Sequence, residues 1–465
     1  MRQPAPRVPG WYRRSLVLVL ASALAVPALY GALEPHQARR EASVAASAVS
    51  VPRPAEEVQS GAPGAPSNAA ILDLLQHRSA AVARRDRAAW LGTVDPSVTG
   101  VVHAQEDLFD RLALLAPASW TYSLLPSDAT LSAARRQALG APAVLAHVRL
   151  TYRVAADSGE VERDQHLTLV WRNRWLVGGI DDGARQRDVW DLGPITVSRG
   201  ARSVVVCART GNVPAPRTAA EADAAARRVD GVWDKAWPRV VVVMAPASLG
   251  DMATILDRPS VDGLAQLAAV TTGELRAVGD GKGSRTTGDR VVLNPVAFPA
   301  LTPAGRGVVL THEFTHVATR ASVRTPPPVW VDEGFADYVA YRGTSLSVRE
   351  IAGDLLNSSK AVASLRDLPS DEDFDPTVGR VDVAYAEAWL AMRFVDDEGG
   401  TPMVVDFYRV AAGLAPLRSW PQATPPRASL TPRTALQHAC LDVVGYVEPS
   451  FVRRWLVYVR SQAAV

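Results

Sequence analysis

We predict an α+β protein in which a short apolar segment and a linker precede two folded units. In residues 68–192, apolar residues recur first with the period of a helix and then with the two-residue period of a strand. In residues 193–465, short valine-rich runs are separated by helical patterns. Helices and strands grouped in this way are typical of α+β domains.

The N-terminal residues predict a membrane helix. Residues 1–14 are basic, and an almost uncharged apolar run follows at residues 15–33. This run is long enough to cross a bilayer, and the arginines before it place residues 1–14 in the cytoplasm and the folded units outside. The alternative is a secretion signal cleaved near residues 21–23, which would release the protein. Residues 34–67 are rich in proline and alanine and predict a flexible linker.

The charge of the chain bears on its partners, and its cysteines bear on disulfide formation. The 465-residue chain has a net charge of +2 with both signs spread along it, so nucleic acid is not a predicted partner. Cys207 and Cys440 are the two cysteines. Outside the cytoplasm they can form one disulfide, and two separate buried thiols are the equally weighted alternative.

The first folded unit, residues 68–192, is predicted to begin with helices and to end in an antiparallel sheet. Ile71, Leu74 and Leu75 have helical spacing. Residues 148–154 and 167–171 alternate as strands do, and a turn at residues 172–174 precedes a further strand. This pattern resembles the cone-shaped α+β domains of the nuclear-transport-factor-like or cystatin-like type. The expected role is that of a scaffold or a recognition module.

The second folded unit, residues 193–465, is predicted to combine a sheet with a mainly helical C-terminal part. The predicted strands are residues 204–207, 240–244 and 290–294. The predicted helices are residues 219–237, 308–319, 330–342, 384–394, 402–412 and 451–460. Residues 305–307 are expected to open the second of these helices, and three prolines at residues 326–328 separate it from the third.

The strongest functional pattern is a His-Glu-x-x-His segment on the helix at residues 308–319. His312 and His316 are four residues apart, so both face the same side of the helix and can bind a single zinc ion. Glu313 lies between them, where it can act as the general base toward a water at the metal. This spacing predicts a catalytic zinc site.

A third ligand is predicted from the next helix. Glu333 is placed to complete the site and to leave a fourth position for water. Asp332 and Asp337, in the same segment, compete with it for this role. Residues 317–332 are enough for a turn between antiparallel helices.

The two segments together resemble the gluzincins, the thermolysin-like clan of zinc metallopeptidases, whose second segment reads Glu-x-x-x-Asp on a helix. The resemblance implies that Glu333 binds Zn²⁺ and that Asp337 accepts a hydrogen bond from His312, which would set the tautomer of that ligand. Asp332 is then expected to be a helix-start residue. Near these segments, residues 193–465 are also similar to peptidase-MA-like membrane proteins of actinobacteria. A zincin-like α+β peptidase domain is therefore expected.

Two further assignments concern the reaction. Related gluzincins stabilise the oxyanion with a tyrosine or histidine beyond the third ligand, and Tyr385 is the candidate here, with His438 as a weaker one. A buried core position is the alternative for Tyr385. The strand at residues 290–294 is a candidate for the edge strand that pairs with substrate in gluzincins, and an ordinary sheet strand is the alternative.

The sequence as a whole predicts a membrane-anchored, extracytoplasmic zinc metallopeptidase acting on a peptide or protein substrate. The absence of a Gly-Ala-Met-Glu-Asn-like element favours an endopeptidase over an aminopeptidase. The alternative is a catalytically silent zincin-fold protein that serves as a binding or sensor protein at the cell surface.

Overall fold

The computed structural model describes residues 68–464, apart from residues 155–156, 234–236, 239, 278–283, 324–325, 376–378 and 421–431. The predicted membrane segment at residues 15–33 and the linker at residues 34–67 lie outside the described residues. Within the described part of the chain, no helix combines the length and apolar character needed to cross a bilayer.

The described chain has a mixed α/β fold with two sheets. The strands are β1 (Ser119–Leu124), β2 (Ala143–Arg153), β3 (Val161–Trp171), β4 (Trp175–Gly179), β5 (Ile195–Arg199), β6 (Ser203–Ala208), β7 (Val241–Ala245), β8 (Ala269–Ala277) and β9 (Ser284–Leu293). The helices are α1 (Asn68–Arg84), α2 (Arg87–Leu91), α3 (Thr99–Leu115), α4 (Ala133–Leu139), α5 (Val189–Leu192), α6 (Ala215–Asp230), α7 (Leu249–Ile255), α8 (Ala297–Ala300), α9 (Pro303–Arg320), α10 (Val329–Tyr341), α11 (Val348–Ile351), α12 (Gly353–Leu356), α13 (Ser359–Ser364), α14 (Val381–Ala411), α15 (Pro432–His438) and α16 (Glu448–Ala464). Leu264–Gln266 and Asp371–Phe374 form 3₁₀ turns, and Ala439–Val444 forms a π-helical turn.

The first sheet has the order β1-β2-β3-β4 and is antiparallel throughout. The apolar face of α1, including Leu74 and Leu75, packs against Val148 and Leu169 of this sheet. The predicted turn at residues 172–174 joins β3 to β4, and Asn173 there has a φ of +66°, which asparagine tolerates better than most residues. The helix around residues 71–75 and the predicted strands of this unit are confirmed, and β1, α3, α4 and α5 are further elements that were not predicted.

The second sheet has the order β5-β6-β7-β9-β8. β6, β7 and β9 are parallel neighbours, so their valine runs are buried on both faces. β9 contains most of the strand predicted at residues 290–294, and it lies inside the sheet between β7 and β8. The edge-strand alternative is therefore wrong, and the other alternative, an ordinary sheet strand, is confirmed. β8 is the outermost strand on that side, and it pairs antiparallel with β9.

The helix predicted at residues 308–319 begins earlier than expected. Thr302 is its N-cap and accepts a hydrogen bond from the backbone of Gly305 at 3.1 Å, with Pro303 at the first helical position. Residues 305–307 therefore lie inside α9. The helix predicted at residues 219–237 is shorter, because α6 ends at Asp230, before Gly231.

A close helix contact brings α10 against α14. A Cβ atom built on Gly334 would lie 2.5 Å from the backbone oxygen of Ala388, which is closer than real Cβ atoms approach. Only glycine fits at this contact, since any side chain would push the helices apart. Gly334 thus sets the depth at which its neighbour Glu333 enters the interior.

The first unit contacts the β8–β9 pair through buried charges. The Nη2 atom of Arg290, on β9, donates to Oδ2 of Asp157 at 2.9 Å, and both side chains are 1% exposed. Arg163, on β3, forms ion pairs with Glu274 at 2.9 Å and with Asp188 at 3.0 Å. One apolar cluster also includes residues of both units. The two sheets therefore share an interior across the predicted boundary at residue 192.

We expect Arg290→Met to lower the free energy of unfolding by about 3–5 kcal/mol, since it leaves the buried carboxylate of Asp157 without its cation. Urea unfolding of the full-length protein measures this change. The matched control is the double variant Arg290→Met/Asp157→Asn, which removes both charges and should lose less than the single variant. Equal losses in the two proteins would contradict the ion pair as the cause.

Candidate metal centre

Helix α9 brings the two predicted histidine ligands together. His312 and His316 are one turn apart, and their Nε2 atoms are separated by 3.0 Å. Both side chains are at most 1% exposed. Two buried imidazole nitrogens this close together can serve as two ligands of one metal ion.

Helix α10 places Glu333 beside both histidines. Its Oε2 atom lies 3.3 Å from Nε2 of His312 and 3.7 Å from Nε2 of His316. Within the described part of the chain, neither carboxylate oxygen of Glu333 has a hydrogen-bond partner, although the side chain is fully buried. Burying a carboxylate is costly unless it is paired, and a cation bound between Glu333 and the two histidines would remove that cost. The three residues predicted as ligands could hold a metal ion.

Asp337 lies where the resemblance implied, one turn beyond Glu333. Its Oδ1 atom is 2.7 Å from Nδ1 of His312. Burial lowers the pKa of His312, but Asp337 and Glu333 outweigh burial, and the pKa lies well above its ordinary value. A proton held on Nδ1 leaves the lone pair of Nε2 for a metal.

Asp332 does more than begin a helix, which corrects the expectation from sequence. It lies in the first turn of α10, and its Oδ2 atom is 3.5 Å from Nδ1 of His316. The hydroxyl of Tyr408, on α14, donates to its Oδ1 atom at 2.7 Å. Burial raises the pKa of Asp332, but His316 and the hydrogen bonds lower it to about 2. Each histidine therefore has a carboxylate on its outer nitrogen.

Glu313 is fully buried beside the ligands, and a threonine of β8 contacts it. The hydroxyl of Thr271 donates to Oε2 of Glu313 at 2.5 Å. Glu313 and the three ligands are at most 1% exposed. Among the described residues, Glu313 and the ligands are therefore shielded from bulk solvent. Thr271 is a site residue that the sequence did not predict, since nothing marks it within the segment Thr271-Thr272-Gly273.

Tyr385, on α14, is buried next to the centre. Its ring centroid is 6.3 Å from that of His312 and 5.3 Å from that of Phe374. Burial, followed by the charges of Glu333 and Asp337, raises the pKa of its hydroxyl well above the ordinary value, so the group stays protonated. His438, the weaker candidate, has its Nδ1 atom 2.8 Å from Asp442 instead.

The two cysteines are separate buried thiols rather than a disulfide. Burial raises the pKa of Cys207 to about 12 and that of Cys440 further still, so neither is a thiolate near neutral pH.

The fold and the site together define a two-sheet α/β protein with a buried His-His-Glu constellation that could hold a metal ion. In comparisons with known proteins, no protein-family model and no curated protein matches the chain.

Proposed function

We propose that the protein is a zinc metallopeptidase of gluzincin type that hydrolyses peptide bonds with Glu313 as the general base. The observation that carries this proposal is the spacing of the three ligand atoms beside a buried glutamate. The separations among the ligand atoms of His312, His316 and Glu333 are 3.0, 3.3 and 3.7 Å.

The donor set fits zinc. Zinc–ligand bonds of about 2.0–2.1 Å in a tetrahedron place the ligand atoms about 3.3 Å apart, close to the three separations. Two imidazoles and one carboxylate are also a donor set of catalytic zinc, which keeps the fourth position open. When bound, zinc supplies polarisation of the scissile carbonyl and a lowered pKa for the attacking water.

The residues of the chain then have separate tasks. Glu313 accepts the proton of the attacking water and delivers it to the leaving amine. Asp337 and Asp332 orient His312 and His316 through their outer nitrogens. Tyr385 donates its hydroxyl hydrogen to the oxyanion that develops on the carbonyl oxygen.

Strand β8 is the proposed site for an extended substrate. The carbonyl of Ala268 accepts the amide hydrogen of Asn294 at 2.9 Å. Because antiparallel partners alternate, the backbone groups of Ala269 and Thr271 then face away from β9, at the edge of the sheet. The carbonyl of Thr271 accepts from Arg320, and Ala269 and Thr271 are fully buried, so a peptide would pair with this edge beside Glu313 only after Arg320 and the covering residues move. This arrangement favours an endopeptidase, since the strand continues on both sides of Thr271.

The N-terminal residues support a proposal for the location of the protein. We propose that residues 15–33 anchor it in the cell membrane with residues 1–14 in the cytoplasm and the peptidase domain outside. Cleavage of this segment would make it a secreted enzyme. The proposed partners are a peptide or protein substrate and the membrane, and not nucleic acid.

We expect Tyr385→Phe to lower kcat by about 10²-fold with little change in zinc content, since it removes one oxyanion donor and keeps the ring. Steady-state kinetics and zinc analysis of the full-length variant measure both quantities. Tyr446→Phe is the matched control, because the hydroxyl of Tyr446 bonds Glu398 at the surface. An unchanged kcat for Tyr385→Phe would leave Tyr385 as a core residue only.

The proposed function is tested by incubating the zinc-loaded full-length protein with a mixed peptide library and identifying the products by mass spectrometry. Cleavage at internal bonds is the expected result. Stepwise loss of N-terminal residues would replace the endopeptidase assignment with an aminopeptidase. A zinc-bound protein that yields no products would favour the catalytically silent binding or sensor protein.

A further inference from the structure

Thr271 connects the edge strand β8 to the helix of the metal centre at two points. Its side-chain oxygen lies 2.5 Å from Oε2 of Glu313 and 3.3 Å from the backbone oxygen of the same residue. Its own carbonyl accepts a hydrogen bond from Nη1 of Arg320 at 3.3 Å. Thr271 is fully buried, so water does not compete for these contacts.

The hydroxyl of Thr271 has one hydrogen to donate, and the shorter contact shows where it goes. The carboxylate oxygen of Glu313 is the nearer acceptor, at 2.5 Å against 3.3 Å for the backbone oxygen, and 2.5 Å lies within the range of O–H···O hydrogen bonds. A carboxylate accepts and does not donate, so Thr271 is the donor to Oε2 of Glu313. Because Glu313 has several rotatable side-chain bonds, a strong donor at one oxygen restricts where the other can lie.

The two helix residues that hold Thr271 lie on one side of α9. Glu313 and Arg320 are seven residues apart, which is about two turns, so their side chains face nearly the same direction. One reaches the side chain of Thr271 and the other its backbone. Thr271 therefore fixes the position of β8 along α9 as well as the orientation of the carboxylate.

We propose that Thr271 is the positioning residue of the general base, and that its hydroxyl holds the Glu313 carboxylate in the orientation needed for proton transfer. This inference rests on the proposed function. Thr271 acts through Glu313 and is not itself assigned contact with the reacting atoms. Because it also belongs to the proposed substrate strand, it links the position of the peptide to that of the base.

The variants Thr271→Val and Thr271→Ser distinguish the effect of the hydroxyl from the effect of side-chain shape. Valine keeps the shape and removes the donor, and we expect it to lower kcat by about 10–100-fold, as loss of an orienting partner does. KM should change by about twofold or less, because ground-state binding is untouched. Serine keeps the donor and should retain kcat to within about threefold. Zinc content is expected to be the same in all three full-length proteins.

A second measurement tests the contact without any activity. In the zinc-free protein, Thr271→Val should lower the urea midpoint when Glu313 is present, because the buried carboxylate loses the hydrogen bond from Thr271. In a Glu313→Met background, Thr271→Val should lower the urea midpoint clearly less, since no carboxylate remains to accept the hydrogen bond. This double-mutant cycle uses full-length protein throughout.

The outcomes distinguish the two proposals. A wild-type kcat for Thr271→Val, or a serine variant as slow as the valine variant, would overturn the positioning role. Equal midpoint shifts in both backgrounds would overturn it as well. If the zinc-loaded wild-type protein hydrolyses nothing, the proposed function fails, and a non-additive cycle would still support the link between Thr271 and Glu313.

Discussion

Glu313→Gln is expected to lower kcat for peptide hydrolysis by about 10²–10⁴-fold, the range that general acid–base catalysis contributes. One zinc ion per chain should be retained. Glutamine has the same size and can still accept the hydrogen bond from the Thr271 hydroxyl. Its amide cannot take up a proton from water near neutral pH. The ligand atoms of His312, His316 and Glu333 are unchanged, so loss of activity would come from the missing base.

Single-turnover and steady-state kinetics on the full-length variant measure this effect, with zinc determined on the same sample. Glu398→Gln is the matched control, because it makes the same chemical change where the side chain bonds Tyr446 at the surface. The control should hydrolyse at the wild-type rate. If Glu313→Gln did so too, the general-base mechanism would be wrong.

Replacement of any one predicted ligand is expected to abolish stable zinc binding. His312→Ala, His316→Ala and Glu333→Ala each leave two protein ligands, and zinc sites in proteins use three or four. We expect wild-type protein to hold about one zinc per chain after extensive dialysis and each variant to hold about a tenth of that or less. The ligands must be deprotonated, so zinc binding by the wild type should also weaken as the pH is lowered.

Elemental analysis of the dialysed proteins, together with circular dichroism to verify folding, measures this loss. His77→Ala is the histidine control, since His77 is exposed on α1 and bonds the backbone of Asp73. It should bind as much zinc as the wild type. Full zinc occupancy in folded His316→Ala and Glu333→Ala would place the metal elsewhere in the chain.

The residues of the centre that sequence could predict are those with local spacing. His312 and His316 share a helix face because they are four residues apart, and Asp337 follows Glu333 by the same interval. These relations hold on any regular helix. The structure brings the two pairs together, as the resemblance to the gluzincins implied.

The residues that sequence missed depend on contacts between distant segments. Thr271 reaches Glu313 across 42 positions, and Tyr408 reaches Asp332 across 76. No periodicity relates such pairs. The position of Asp332 near the start of a helix was already explained by local sequence preference, so its contact with His316 was not predicted.

The fold shows the same division between local and distant information. The valine runs of β6, β7 and β9 predicted buried strands because strands covered on both faces read as apolar throughout. β8 was not predicted, since its residues include threonine, glycine and glutamate and its pairing shifts between Thr272 and Glu274. Without β8, the sequence left open whether the strand at residues 290–294 forms the sheet edge.

The most direct test of the central claim is whether zinc controls peptide hydrolysis by the full-length protein. A quenched fluorescent peptide chosen from the library products would be followed before chelation of zinc, after it, and after zinc is restored. We predict hydrolysis that is lost with the metal and returns with about one zinc per chain in the wild type but not in Glu313→Gln. Hydrolysis that persists in the zinc-free protein would contradict the assignment as a zinc metallopeptidase.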